Sequence, residues 1–218
     1  MSSLIETLID QFGDDAIRIL SKQLGAGGGA TSSALESAIP VIISALARNT
    51  EKEKGAEALN SAIERDHDGS ILDDLTGYLG VQQQRSRATE ISNIGDAAAR
   101  RDDGSGILGH IFGNNLDNVE DLITQVSGLD MKSASALLQK IAPVVLGMVG
   151  RKKREENLDA GGLSDFLKRE SEEGSKRAPS GVKRILSSFL DADKDGDIMD
   201  DVAGMAMKFL GSYFTRRR

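Results

Sequence analysis

The sequence predicts an all-α protein: an internally duplicated helical bundle with two buried proline-containing helices and acidic Asp-Gly turns. Three observations predict it. Apolar residues recur at helical spacing along much of the chain, beginning with Leu4, Ile5, Leu8, Ile9 and Phe12. Strand signals are nearly absent, and no Asn-Gly hairpin signature joins alternating segments. A twelve-residue phrase also occurs twice, as DHDGSILDDLTG from Asp66 to Gly77 and as DKDGDIMDDVAG from Asp193 to Gly204. Both copies read Asp-x-Asp-Gly-x-Ile-x-Asp-Asp-apolar-x-Gly.

The elements follow in order. The first apolar stripe breaks at Gly13 and resumes with Ile17, Leu20 and Leu24. Gly25 to Ser33 reads as a loop, with Ser32 or Ser33 as the N-cap of the next helix. That helix carries Leu35, Ala38, Ile39, Ile42 and Leu46 on one face. Its second half, PVIISALA, is apolar nearly all round, which predicts burial all round. Met131 to Gly150 repeats the design, with a stripe of Ala134, Leu137, Leu138, Ile141, Val145 and Met148. Placing Pro40 over Pro143 aligns Leu35 with Leu138, Val41 with Val144 and Arg48 with Arg151. A proline inside a helix costs about 3 kcal/mol, so both helices are expected to kink or restart there.

The chain therefore divides into a first helical repeat over 1–80, a linker over 81–115, and a second repeat over 116–218. Val81 to Arg87 reads as polar linker. The phrase Asp103-Gly104-Ser105-Gly106-Ile107-Leu108-Gly109-His110 is a degenerate, Gly-rich third version of the motif. The second repeat holds a charged insertion over 151–178, with eight Lys/Arg and seven Asp/Glu. It reads as a solvated loop with a short helix around Leu163 to Arg169. Pro179 then opens a helix with the face Val182, Ile185, Leu186, Phe189 and Leu190.

Composition narrows the function. Hydrophobic residues make up 39% of the 218, aromatic residues 4%, and there is no Trp. The core must be built from Ala, Leu, Ile, Val and Met. The absence of Cys excludes disulfides, thiolate nucleophiles and Cys-ligated metals. A net charge of −7 argues against a duplex-DNA footprint. The basic runs at Arg151 to Arg154 and Arg216 to Arg218 read as solvated helix ends. No stretch reaches about 18 uncharged apolar residues, so no membrane span is expected. With no basic segment ahead of an apolar one at the N-terminus, a cytoplasmic location is expected.

The phrases DHDGSILDDL, DDGSGILGHIFG, GLD with APVVLGMVGR, and DKDGDIMDDV, in that order, resemble the bacterial YidB-like domain family of unknown function. The resemblance spans about Leu4 to Leu210. It implies a bacterial, mostly helical, cytoplasmic protein whose fold includes a homeodomain-like helical arrangement. It supplies no reaction, substrate or partner.

The acidic turns are candidate Ca2+ sites. In the second, Asp191, Asp193 and Asp195 alternate as hard oxygen donors, Gly196 makes the sharp turn, and Asp197 would offer its carbonyl. The closing position holds Val202 rather than Glu, with Asp201 one residue out of register. In the first turn the alternating acids are Glu64, Asp66 and Asp68. Helix capping is the competing reading, with Ser70 and Asp197 as N-caps and Asp73 and Asp200 three residues on. His67 reads as exposed within its turn, and His110 as a helix-face residue. Neither has the partners of a triad or a zinc site.

No catalytic constellation is visible, so a non-enzymatic interaction or scaffold protein is expected, self-assembling into homo-oligomers or filaments. A protein partner, a calcium-binding module and a homeodomain-like nucleic-acid binder are the alternatives. Net acidity disfavours the last.

Overall fold

A computed structural model describes residues 3–85, 103–178 and 182–183. All regular structure among them is helical: α1 Leu4–Leu24, α2 Gly28–Asn49, α3 Glu53–Asp66, α4 Leu75–Arg85, α5 Gly104–Phe112, α6 Leu116–Ser127, α7 Met131–Glu156 and α8 Ala160–Arg177. Single 3₁₀ turns at Ser70–Leu72 and Gly113–Asn115 complete the order.

α2 and α7 are the centre. Along α2, the whole run from Ser37 to Ala47 is buried; along α7, so is every residue from Ile141 to Gly150. They pack on each other, and the remaining helices are laid around them: α1, α5, α6 and α8 on α2, and α1, α3, α5 and α6 on α7. One connected apolar core runs from Leu4 to Val182 and joins residues from both expected repeats. With few aromatics, it is filled by Leu, Ile, Val and Ala, whose small volumes let helices approach closely. By length and composition, α2 and α7 are each apolar enough to cross a bilayer; 78% of the most apolar window of each is buried inside the fold.

Local chemistry sets the helix ends. Ser3 and Glu6 form a reciprocal capping box: Ser3 Oγ accepts from the Glu6 amide at 3.2 Å, and Glu6 Oε2 accepts from the Ser3 amide at 3.1 Å. Gly13, at φ 48° and ψ 179°, interrupts α1 where the sequence predicts a break. Asp130 caps α7 by accepting from the Ser133 amide at 3.0 Å, and the hydrogen bonds from Ser133 hold its carboxyl below the usual range. The Ser133 hydroxyl also lies 3.1 Å from the Leu24 carbonyl, tying α7 to the end of α1.

Four expectations are corrected. α2 starts at Gly28, not at Ser32 or Ser33, with Gly27 as an extended N-cap. The buried Thr31 hydroxyl bonds the Gly27 carbonyl at 3.1 Å and accepts from Ser21 at 2.9 Å, which fixes that first turn against α1. Val81 to Arg85 is the last part of α4 rather than linker. The 151–178 insertion is not a loop with one short helix: Arg151 to Glu156 extends α7, and Ala160–Arg177 is one helix of 18 residues. Its Leu163, Phe166, Leu167 and Ser171 are buried at helical spacing, so most of its charges stay outside while one face covers α2. Ser171 donates to Ser44 of α2 at 2.8 Å in that buried contact. Finally, neither helix restarts at its proline, Pro40 and Pro143 lying inside α2 and α7.

Leu138 has no exposed surface and lies in the centre of α7. Leu138→Ala should cost about 2–5 kcal/mol by leaving a cavity in a tightly packed core. Urea denaturation followed by circular dichroism measures it.

Candidate functional site

The first acidic turn connects α3 to α4 and lies against α7. The contact is between backbones, because α7 presents glycine at two positions three residues apart. A Cβ on Gly147 would stand 2.5 Å from Ile71 Cγ2, and one on Gly150 would overlap the His67 carbonyl oxygen. On the turn, Gly69 adopts φ 87°, where its own Cβ would stand 2.8 Å from the Gly147 carbonyl oxygen. Glycine is required there twice over, by the left-handed backbone and by the close approach.

Arg151 stands one residue beyond Gly150 and closes the contact. Its Nη2 donates to the Gly69 carbonyl at 3.0 Å and to the Asp73 carboxylate. Lys153 donates to Glu64 Oε1 at 2.8 Å, with Asn60 donating to the same oxygen at 3.2 Å. The Lys153 hydrogen bond and charge hold the Glu64 carboxyl below the usual range. Lys152 pairs with Glu155 at 2.7 Å. Three of the four cations in the Arg151 to Arg154 run are thus engaged by the protein's own acids.

The sequence singled out Glu64, Asp66 and Asp68 as weaker metal ligands, and the structure gives each a different partner. Glu64 faces Lys153. Asp66 accepts from Arg65 Nε at 2.6 Å. Asp68 Oδ1 accepts from both the amide and the hydroxyl of Ser70, at 3.1 and 2.7 Å. Asp66, Asp68 and Asp74 line one pocket of about 220 Å³ with His67, Ser70 and Tyr78. Among the described residues, no three acids or histidines come together in a way that could hold a metal ion. The stronger candidates, Asp191, Asp193, Asp195, Asp197 and Asp201, lie outside the described residues.

Capping differs from the expectation. Ser70 does not cap; it is the residue capped, held by Asp68. Asp73 is engaged by Arg151, and it is Asp74 that accepts the Gly77 amide of α4 at 2.9 Å. His67, expected exposed, is 8% exposed, because its segment is pressed onto Gly150. The degenerate phrase behaves as a cap: Asp103 accepts the Gly106 amide at 2.9 Å and opens α5. Gly147, Gly150 and Arg151 were missed as a group. The signal was present as two glycines three apart on a helix otherwise apolar all round, followed at once by a cation.

A second concave feature lies between α3 and α5. This cleft of about 570 Å³ is floored by Leu46 of α2 and Leu146 of α7. His67 and Asp66 belong to its wall and to that of the acidic pocket, so the turn separates the two.

A family model described as a bacterial protein of unknown function (DUF937) matches residues 6–152. That is consistent with the YidB-like resemblance of the Asp-Gly phrases. No curated protein and no solved structure matches the chain.

Two outcomes follow for the turn. Gly150→Ala should destabilise the protein, since the new methyl meets backbone that cannot move without undocking the turn. Gly80→Ala has open space in α4 and should be neutral or stabilising by about 0.5–1 kcal/mol; paired urea titrations separate them. For Glu64, the lowered carboxyl favours the folded state above its unfolded titration range, and that contribution is lost as pH falls through the folded value. Glu64→Gln should therefore lower stability at about pH 7 and match the parent near about pH 2, as read by denaturation at both.

Proposed function

We propose that this chain, which belongs to the bacterial DUF937 family of unknown function, is a non-enzymatic interaction protein that assembles with copies of itself. The observation that carries the reading is the outward face of α5. This is a strongly apolar helix, GSGILGHIF, yet Ser105, Gly106, Gly109 and His110 are exposed on it. An apolar helix that shows small residues outward offers its backbone to a second surface at short range. Two further features support it. The sequence phrases repeat across the chain, and α2 and α7, each with an internal buried proline, pack on each other at the centre. A duplicated body of this kind can present complementary ends that close into rings or continue as filaments.

Calcium at the second acidic turn, Asp191 to Asp201, remains a separate proposal, and one experiment addresses both. Sedimentation velocity over a concentration series, in calcium and in chelator, should show a concentration-dependent oligomer. Gly109→Glu, placed where a new side chain meets nothing within 4 Å, should shift it to monomer without changing the melting temperature. A parent protein that stays monomeric throughout would overturn the assembly reading. Assembly indifferent to the chelator would remove calcium from it.

A further inference from the structure

We propose that the cleft between α3 and α5 binds a linear aliphatic carboxylate, a ligand of the fatty-acid class. The inference is argued from the cleft, whose wall shares Gly106 and His110 with the α5 face proposed for self-assembly.

Size comes first. At about 570 Å³ the cleft falls within the range of small-ligand sites, roughly 300–1,000 Å³. Its lining is aliphatic. Leu46 and Leu146 form the floor, Leu59 and Ala62 come from α3, and Ile107 and Ile111 from α5. No Phe, Tyr or Trp lines it, and its only rings are the His67 and His110 imidazoles, so an extended hydrocarbon fits the aliphatic stretch between them. Small residues keep the slot open: Gly55 and Ala62 on one wall and Gly106 on the other.

The polar groups at the rim set the chemistry of the head. Two carboxylates are present, each engaged through one of its oxygens. Asp66 accepts from Arg65 Nε, and Asp103 accepts from the Gly106 amide. Arg65 uses Nε for Asp66, while among the described residues its Nη groups make no hydrogen bond, and its side chain is 69% exposed. The His110 ring, exposed on α5, likewise bonds no side chain among the described residues; the Asn49 amide reaches only its backbone carbonyl, at 3.5 Å. The Arg65 guanidinium, with its Nη groups left at the cleft, complements a ligand that brings acceptors. A carboxylate meeting the Arg65 guanidinium through two N–H groups supplies them, and the alkyl chain then lies along the leucine floor.

Titration calorimetry of the full chain with decanoate tests this, with decanol as the uncharged analogue. Decanoate should bind one saturable site. Ala62→Leu, which fills the slot from a partly exposed helical position, should weaken it at least about tenfold while the melting temperature holds; Ala58→Leu serves as a second blocking variant. Arg65→Gln should weaken decanoate several-fold and leave decanol unchanged. Absence of saturable binding would overturn the proposal, as would binding that survives both blocking variants. Equal loss of acid and alcohol in Arg65→Gln would overturn the head-group assignment. If Ala62→Leu instead dissolves an oligomer in sedimentation while the parent binds no decanoate, the cleft is a protein interface and the ligand reading fails.

Discussion

Everything in this fold follows from placing two long helices, α2 and α7, out of contact with water. An amphipathic helix needs one partner; a helix apolar all round needs covering on every side. From Ser37 to Ala47 and from Ile141 to Gly150 the chain leaves no exposed face. Five other helices, α1, α3, α5, α6 and α8, share the task of covering them, and that sets their positions. α8 closes one side of α2 with Phe166, Leu167 and a serine-to-serine bond, while most of its charges remain in solvent. α1 reaches both central helices and is held at its start by Glu170 of α8, which accepts the Leu4 amide at 2.8 Å. Burial raises the Glu170 carboxyl above its usual range, so this tie joins the two ends of the described core at some electrostatic expense.

The same constraint explains the acidic turn. α7 is buried partly by other helices and partly by irregular backbone, which can come near enough only where α7 has no side chains. Gly147 and Gly150 provide that space, and Gly69 takes the left-handed conformation that fits it. The approach leaves the Gly69 carbonyl needing a donor and Asp73 needing a counter-charge, and Arg151 answers both. The basic run after α7 is therefore a clasp on the turn before it is anything else. Cations that would have served a phosphate are already paired with Asp73, Glu64 and Glu155.

Much of this was legible in the sequence. The all-helical class followed from periodicity, and so did the buried stripes, since Leu35, Ala38, Ile39, Ile42, Leu137, Leu138 and Ile141 are all in the core. The Gly13 break was legible because glycine interrupted a regular stripe. Boundaries fared worse for physical reasons. A charge-rich window suggested loop over 151–178, yet a helix needs only one apolar face, and Leu163, Phe166 and Leu167 supply it. Proline suggested kinks or restarts, and neither helix restarts there. Capping residues were placed by type alone. Ser70, Asp73 and Asp74 are all good caps in isolation, and only the position of Arg151, some 80 residues away, decides which of the acids is free to cap. Long-range pairing of this kind leaves no local pattern.

The α3–α5 cleft was equally invisible from sequence, because it is a gap left between helices that cover the same central pair. The account's central claim is that α2 and α7 form the last unit to open. Native-state hydrogen exchange measures this directly. The amides of Ile39 to Ala47 and Ala134 to Val149 should exchange only through global unfolding, with protection equal to the full stability, while α3 and α5 open at lower cost. Faster exchange in α2 or α7 than in the helices that cover them would contradict the account.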